Sequence, residues 1–458
     1  MASITWLTVM WSVLCTATSP GVPWNAARLA PSFALAEGLS IYPLRSSGEQ
    51  LGWFYGPGLP LWNLPATLTD DITVALWIAA VWNVVTWLVP MALVLRMAGV
   101  VRGACGCAVA GALVGFFLLG GSITNYAFYF IHVDGLCVGA GLASVMGLNR
   151  AMQGEGKGWL HVAAAGLVIA VWTKQIGVAL APALFWHLWR ERQVRLIWPL
   201  FFLCVVYAAA ATLAVFLWFG APEVLHNIWL MHSRNPTRGG MAFLAGELGN
   251  FARTLWVWLP LTALVGATWW LARGRTGPMT AAGAGLVRLL IRSAAWQLPV
   301  GMLAVLKVGG GFNSLHAIYY LLLALLIVAL SPVERPRSAA GFRVMWLLAW
   351  LLPLGNAAAI AAGPGSYWSV SRSREQLVAM ARAEPGRYYF PWNPLVTLIA
   401  EKKIQPLDDA LYCLWLVKLE PPVEAIRTAV PARPVIVYEE PAQSHFALRY
   451  FPEIQQKP

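Results

Sequence analysis

Two ionisable residues stand among apolar neighbours. Asp134 follows the run Tyr126-Ala-Phe-Tyr-Phe-Ile-His132-Val, and Lys174 lies in Trp172-Thr-Lys174-Gln175-Ile-Gly177 between two short apolar segments. A charge in or beside an apolar span is costly, so it marks either function or a structural pairing. For Asp134 two readings stay open. It is either a helix N-terminal carboxylate that caps free amides and complements the dipole, or a group that positions a substrate hydroxyl, a basic side chain or a metal. Lys174 can grip a phosphate as a point charge or simply extend to the membrane interface. The interrupted span around it favours the phosphate, because membrane proteins place ligand sites in short, broken helices.

A second group of candidates lies before residue 72. The stretch 20–71 contains Trp24-Asn25-Ala-Ala-Arg28, Glu37 and Glu49, then Tyr55-Gly56-Pro57-Gly58, whose Gly and Pro fix a sharp turn. A basic segment with Arg234-Asn-Pro-Thr-Arg238-Gly-Gly follows much later and can cover an anionic ligand or stay solvated. His132, His226, His232, His316 and His445 fall on one side of the expected topology, but no two share a ligand spacing such as His-Glu-x-x-His. They read as unpaired interfacial histidines, and a divalent metal has no specific motif to hold it. Cys15, Cys105, Cys107, Cys137 and Cys204 lie in apolar segments and Cys413 stands alone, which gives neither a disulfide framework nor a zinc site.

The elements that must position these residues are membrane helices. Of 458 residues, 59% are hydrophobic and 11% charged, far from the roughly 25% charge of a soluble domain. Apolar runs are expected at 4–19, 72–97, 101–120, 130–149, 158–173, 176–189, 196–220, 255–272, 285–306, 316–331 and 344–362. That makes about eleven spans of bilayer length, the pair around Lys174 being the shortest. The first reads as a signal peptide ending in the small residues Ala17–Ser19 or as a membrane helix, and with no basic residue ahead of it the retained helix is expected. With the N-terminus in the cytoplasm, fourteen basic residues fall at inner ends and seven in outer loops before the tail, the asymmetry of the positive-inside rule. The net charge of +12 is therefore an orientation signal, and no basic stripe points to nucleic acid. Residues 1–363 are thus expected to form an all-α polytopic membrane domain with a long first outer loop at 20–71. Residues 364–458, of ordinary charge density, are expected to form a small α/β-type domain on the outer side, with a strand near Pro434–Tyr438.

The order of short motifs then resembles a known family. After the first helix come Ala36-Glu37-Gly38-Leu-Ser-Ile-Tyr42 and Tyr55-Gly-Pro-Gly-Leu-Pro-Leu, then His132-Val-Asp134-Gly135, Thr-Lys174-Gln175-Ile-Gly, and Gly309-Gly-Gly-Phe-Asn313-Ser-Leu-His316. Over roughly residues 1–365 this is similar to the GT-C class of polytopic glycosyltransferases, including its protein mannosyltransferase-like and aminoarabinose-transferase-like branches. The resemblance implies a polyprenyl-phosphate sugar as donor, and an acceptor glycan, lipid or protein on the outer face of the cell (inner or plasma) membrane. It also implies an acidic base in the first outer loop and basic residues on the lipid phosphate. Carried onto this chain, it makes Glu37 or Asp134 the catalytic carboxylate. Arg28, Tyr55, His132, Lys174, Gln175, Asn313 and His316 become substrate-binding residues. The chain departs from the pattern early in the loop, where Asn25 stands near the expected acid and cannot serve as a base. Glu37 and Glu49 could take that role from shifted positions. A transporter or flippase, and a non-catalytic assembly partner, are the alternatives. No repeat between the two halves supports transport, while the missing early acid keeps the assembly partner open.

Overall fold

The structure is a computed structural model that describes residues 2–19, 24–97, 130–237, 258–271, 281–308, 312–329, 367–438 and 446–451, with a few isolated positions between. The principal helices are α1 (Ala2–Ala17), α2 (Trp24–Ala36), α3 (Ile72–Met97), α4 (Val133–Met152), α5 (Gly158–Thr173), α6 (Leu180–Arg190) and α7 (Val194–Phe219). They continue with α8 (Trp258–Leu271), α9 (Ala281–Val305), α10 (His316–Ala329), α11 (Tyr367–Ala383), α12 (Pro394–Glu401), α13 (Asp408–Leu416) and α14 (Val423–Thr428). Helices therefore form at nine of the expected runs. The runs 101–120 and 344–362, with Cys105, Cys107 and the Gly309–Gly311 run, lie outside the described residues.

One apolar core unites α1, α3, α4, α5, α6, α9 and α10, with Val13, Trp87, Leu142, Leu184, Leu289 and Tyr319 at its centre. Among the described helices, α3 and α7 are long and apolar enough to cross a membrane. α7 presents most of its apolar surface outward, with Leu217 78% and Trp198 62% exposed. Its charges stop at Arg195, in the first turn. An apolar face of that extent requires lipid or a partner to cover it.

The apolar run is interrupted at Lys174, as expected. α5 ends at Thr173, Lys174 is extended (φ −147°, ψ 126°), and Gln175–Ala179 forms a 3₁₀ turn before α6 begins. The stretch 20–71, read as a loop, is partly helical. α2 forms there because Ala26, Ala27, Leu29, Ala30, Phe33 and Ala34 give it a buried apolar face, and alanine resists fraying of a short helix. α2 packs on α12 from the C-terminal part.

The C-terminal part holds α11 to α14 and two short parallel strands, β1 (Tyr388–Tyr389) and β2 (Val435–Ile436), paired Tyr388 with Val435 and Tyr389 with Ile436. β2 falls where a strand is expected. Part of the C-terminal core is its own, with Tyr389, Leu411, Ile426, Ala447 and Phe451 in one cluster, and part is shared: Val378, Phe390, Leu395 and Ile399 lie in one apolar cluster with Leu29, Phe33 and Ile41. Arg374 is buried and donates to the Thr18 carbonyl at 2.8 Å, beyond the end of α1. There a cation faces the negative end of a helix and carbonyls that lack intrahelical partners. Lys402 pairs with Glu37, and Arg382 with Asp70.

Candidate active site

A cavity of about 920 Å³ lies where the first-loop segment, the ends of α4, α5 and α9, and the C-terminal part meet. Arg28, Tyr55, His132, Lys174, Gln175 and Asn313, six of the residues singled out in the sequence, line it. They come from five separate stretches of chain.

Asp134 sits directly behind this wall, in the first turn of α4. Its Oδ1 accepts from Lys174 Nζ at 2.6 Å and its Oδ2 meets His316 Nδ1 at 2.7 Å. His132 Nδ1 lies 3.1 Å from Oδ2 and accepts the Asp134 backbone N–H at 3.3 Å, so His132 caps the helix while flanking its carboxylate. Asp134 thus stands at a helix N-terminus, where His132 and not its own carboxylate makes the cap, and it holds a basic side chain. Asp134, His316 and Lys174 are 1%, 1% and 6% exposed. His316 stands at the start of α10, edge-on to the Trp87 indole, and supports the carboxylate without reaching the cavity. Lys174 does reach it. An ammonium has three donors, so one bond to Asp134 leaves two for the cavity.

Arg28, on α2, donates to the Ile131 carbonyl at 3.4 Å and lies over the Trp24 ring. Tyr55 is held over α5 by a close backbone approach at Gly56, where a Cβ would come within 1.7 Å of the Trp172 carbonyl oxygen. Only glycine fits there. Gln175 Nε2 and His232 Nε2 both reach the Phe54 carbonyl, at 3.2 and 2.8 Å. Asn313 Nδ2 is 3.4 Å from His132 Nε2.

Two expected carboxylates lie elsewhere. Glu37, at the start of the turn after α2, points to Lys402 on the outer surface and is not part of the cavity wall. The helical course of α2 causes this, since it carries Arg28 inward and turns the chain out again by residue 37. Glu49 is exposed. Asn25 has a structural task instead: its Nδ2 donates to the Ala17 carbonyl at 3.2 Å, and its Oδ1 accepts from Ile131 N–H at 3.0 Å. The amide joins the end of α1 to the strand-like approach to His132, and a carboxylate would set an oxygen against the Ala17 carbonyl.

The wall also holds groups that the sequence did not single out. Lys307, just past α9, adds a third cation and donates to the His232 carbonyl. Asp409 and Tyr412, on α13, face the cavity from the C-terminal part. Burial pushes the Asp409 carboxyl up to about 6; Arg28 works against that rise and Asp408 adds to it. Lys307 ends an apolar helix, so its sequence context carried only an orientation signal, and Asp409 lies in a stretch of unremarkable charge density. Among the described residues, no group of three or more His, Cys, Asp or Glu side chains is arranged to hold a metal ion.

The whole-chain architecture has a known counterpart. The crystal structure of ArnT from Cupriavidus metallidurans bound to undecaprenyl phosphate superposes on 93% of this chain and 89% of its own, with a TM-score of 0.54 at 14% identity. The chain has the ArnT fold. The same ArnT in the apo state covers 94% of this chain and 78% of its own at 15% identity, with a TM-score of 0.45. No protein-family model and no curated protein matches the sequence. The ArnT likeness thus rests on backbone course alone, and the roles of individual residues rest on the geometry above.

Proposed function

We propose that this chain is a multi-pass membrane glycosyltransferase that moves a sugar from a polyprenyl-phosphate carrier to an acceptor on the outer face of the membrane. About eleven spans carry it, with the N-terminus cytoplasmic and residues 364–458 forming a small extracytoplasmic cover. The observation that supports this reading best is the convergence of Arg28, Lys174 and Lys307 on one cavity between a helical bundle and a polar cover. When the sugar C1–O bond breaks, negative charge gathers on the departing lipid phosphate. Preorganised cations aimed at developing charge are usually the largest contribution to such a step, and they act more strongly where water is excluded. Lys174 is preorganised by Asp134, which is itself fixed by His316 and His132. The fold shared with a protein crystallised with undecaprenyl phosphate supports a carrier of that kind.

The test is binding and turnover by the purified chain in detergent. Wild type is expected to bind undecaprenyl phosphate and to consume an undecaprenyl-phosphate sugar. Lys174→Gln and Arg28→Gln are expected to lose turnover by at least about a hundredfold, the scale of removing one such electrostatic donor. Arg28 has the weaker structural tie, so its variant separates lost chemistry from lost folding. Full activity in both variants would discard the site.

A further inference from the structure

We propose that Asp409, on α13 of the C-terminal part, is the proton acceptor for the incoming acceptor hydroxyl, so that the cover contributes a catalytic residue. This rests on the transferase reading above. The case begins with where the acids stand. Near the cavity in sequence or space, Glu37 is paired with Lys402 on the surface, Asp70 with Arg382, and Asp71 caps α3 by accepting from Thr73 N–H at 2.7 Å. Asp134 is enclosed by Lys174, His132 and His316 and lies behind the wall. Asp408, the neighbour of Asp409, is fully buried and accepts the Ala447 N–H at 2.6 Å. Among the described residues, Asp409 is the carboxylate on the cavity wall.

Its placement is built. Leu407 N–H donates to the Gln50 carbonyl at 2.8 Å, which fastens the start of α13 to the first-loop segment. Two residues on, Gly52 has a φ of +67°, and a Cβ there would come within 2.9 Å of Ala410. The loop that carries Trp53 and Tyr55 is thereby pressed against the helix turn that carries Asp409. Arg28 faces Asp409 from α2, and Asp408 and Cys413 adjoin it on its own helix. Lys174, Lys307, His132, His232, Tyr55 and Tyr412 are the other titratable groups of the cavity. Lys174 and Lys307 line the cavity from the helical bundle and Asp409 from the cover, which gives an in-line displacement a cation side and an acid side. In that step the acceptor oxygen bonds to the sugar anomeric carbon while its proton passes to an Asp409 carboxylate oxygen. The carbon–oxygen bond to phosphate breaks with its electron pair, leaving polyprenyl phosphate beside Lys174 and Lys307. A base that titrates near 6 is ionised at neutral pH and still basic enough to take a proton.

The experiment compares wild type, Asp409→Asn and Asp409→Glu as full-length chains in detergent. It measures undecaprenyl phosphate binding, and turnover of a panel of undecaprenyl-phosphate sugars against a membrane-lipid extract across pH 5–9. Wild-type turnover is expected to rise with pH through about 6. Asp409→Asn is expected to bind undecaprenyl phosphate like wild type, to lose turnover by about 10²–10⁴-fold, and to lose the acid limb of the profile. Asp409→Glu is expected to recover part of the rate and restore an acid limb. Turnover in Asp409→Asn within a few-fold of wild type, or an unchanged acid limb, would overturn the Asp409 assignment and leave the transferase standing. Loss of undecaprenyl phosphate binding in Asp409→Asn would also overturn it, by showing a structural role. A wild type that consumes no member of the panel overturns both.

Discussion

Asp134 and Glu191 are each held by more than one basic side chain, yet the two sites are built for different ends. Asp134 is 1% exposed by side chain and takes Lys174 at 2.6 Å and His316 at 2.7 Å. Glu191, just past the far end of α6 from Lys174, is 19% exposed and takes Arg288 at 2.8 Å and Arg292 at 2.9 Å. Arg288 is 47% exposed. Arg292 also reaches His187 at 2.8 Å. At Glu191 water screens the charges and shares their hydrogen bonds, so the pairing ties α6 to α9 with little net gain. Asp134 is buried, and each partner depends on the others to offset its lost hydration. The difference teaches which pairing serves as machinery. A buried carboxylate that fixes an ammonium at a cavity wall keeps that cation aimed, whereas a half-buried fork to two arginines fastens helices.

The comparison breaks first at its strongest point. Asp134→Ala leaves the buried Lys174 ammonium without its carboxylate, and a destabilisation of about 3–5 kcal/mol is expected. Thermal unfolding in detergent checks it; a midpoint equal to that of wild type would show that the cluster is no tighter than the surface fork. Next comes Asn25→Asp, which restores an acid where the GT-C pattern expects one. Because the new carboxylate faces the Ala17 carbonyl and loses a donor, it should cost about 1–3 kcal/mol and give no gain in turnover. A rise in rate would show that position 25 is a catalytic site after all. The smallest effect belongs to Glu191→Gln, expected at about 0.2–1 kcal/mol and shrinking with added salt.

Acid titration sharpens the same contrast. The hydrogen bond from Arg288 is the largest influence holding the Glu191 carboxyl down, at about 2, with Arg292 in support. Its folded value is depressed below the unfolded one of about 4.3. Its contribution is therefore complete above that unfolded value and fades as pH falls toward about 2. Asp409 has the opposite sign. Its folded value of about 6 is raised, so the folded state binds the extra proton, and this residue's contribution declines as pH climbs from about 4 through 6. Unfolding midpoints of Glu191→Gln and Asp409→Asn, each compared with wild type between pH 3 and 7, separate the two trends. Equal pH slopes in wild type and variant would contradict the corresponding assignment.

Much of the helical framework was legible because apolar length is a direct signal, and the discontinuity at Lys174 was visible as a lone cation between two short runs. Asp134 and Lys174 announced themselves through the apolar company they keep. Their pairing did not, since 40 residues separate them. Asn25 read as a missing acid because its true partners, Ala17 and the Ile131 N–H 106 residues later, are set by packing. Glu37 read as a candidate base because the pairing with Lys402, 365 residues away, leaves no local mark. Asp409 and Lys307 were hidden for the same reason: their significance depends on which distant chain faces them. The helical part of 20–71 was hidden by its Gly, Pro and aromatic residues, although the Ala-rich run from Ala26 to Ala36 carried the necessary signal.

The Arg374 bond to Thr18 has a consequence for biosynthesis. A ribosome delivers α1 first and the guanidinium that caps it some 356 positions later, so the nascent bundle must wait with that carbonyl unpartnered by the cover. The same C-terminal part packs α12 against α2 and places Asp409 and Tyr412 on the cavity wall. A chain stopped before residue 374 would lack the Arg374 bond and would present Arg28, Lys174 and Lys307 without the roof that α13 gives the cavity.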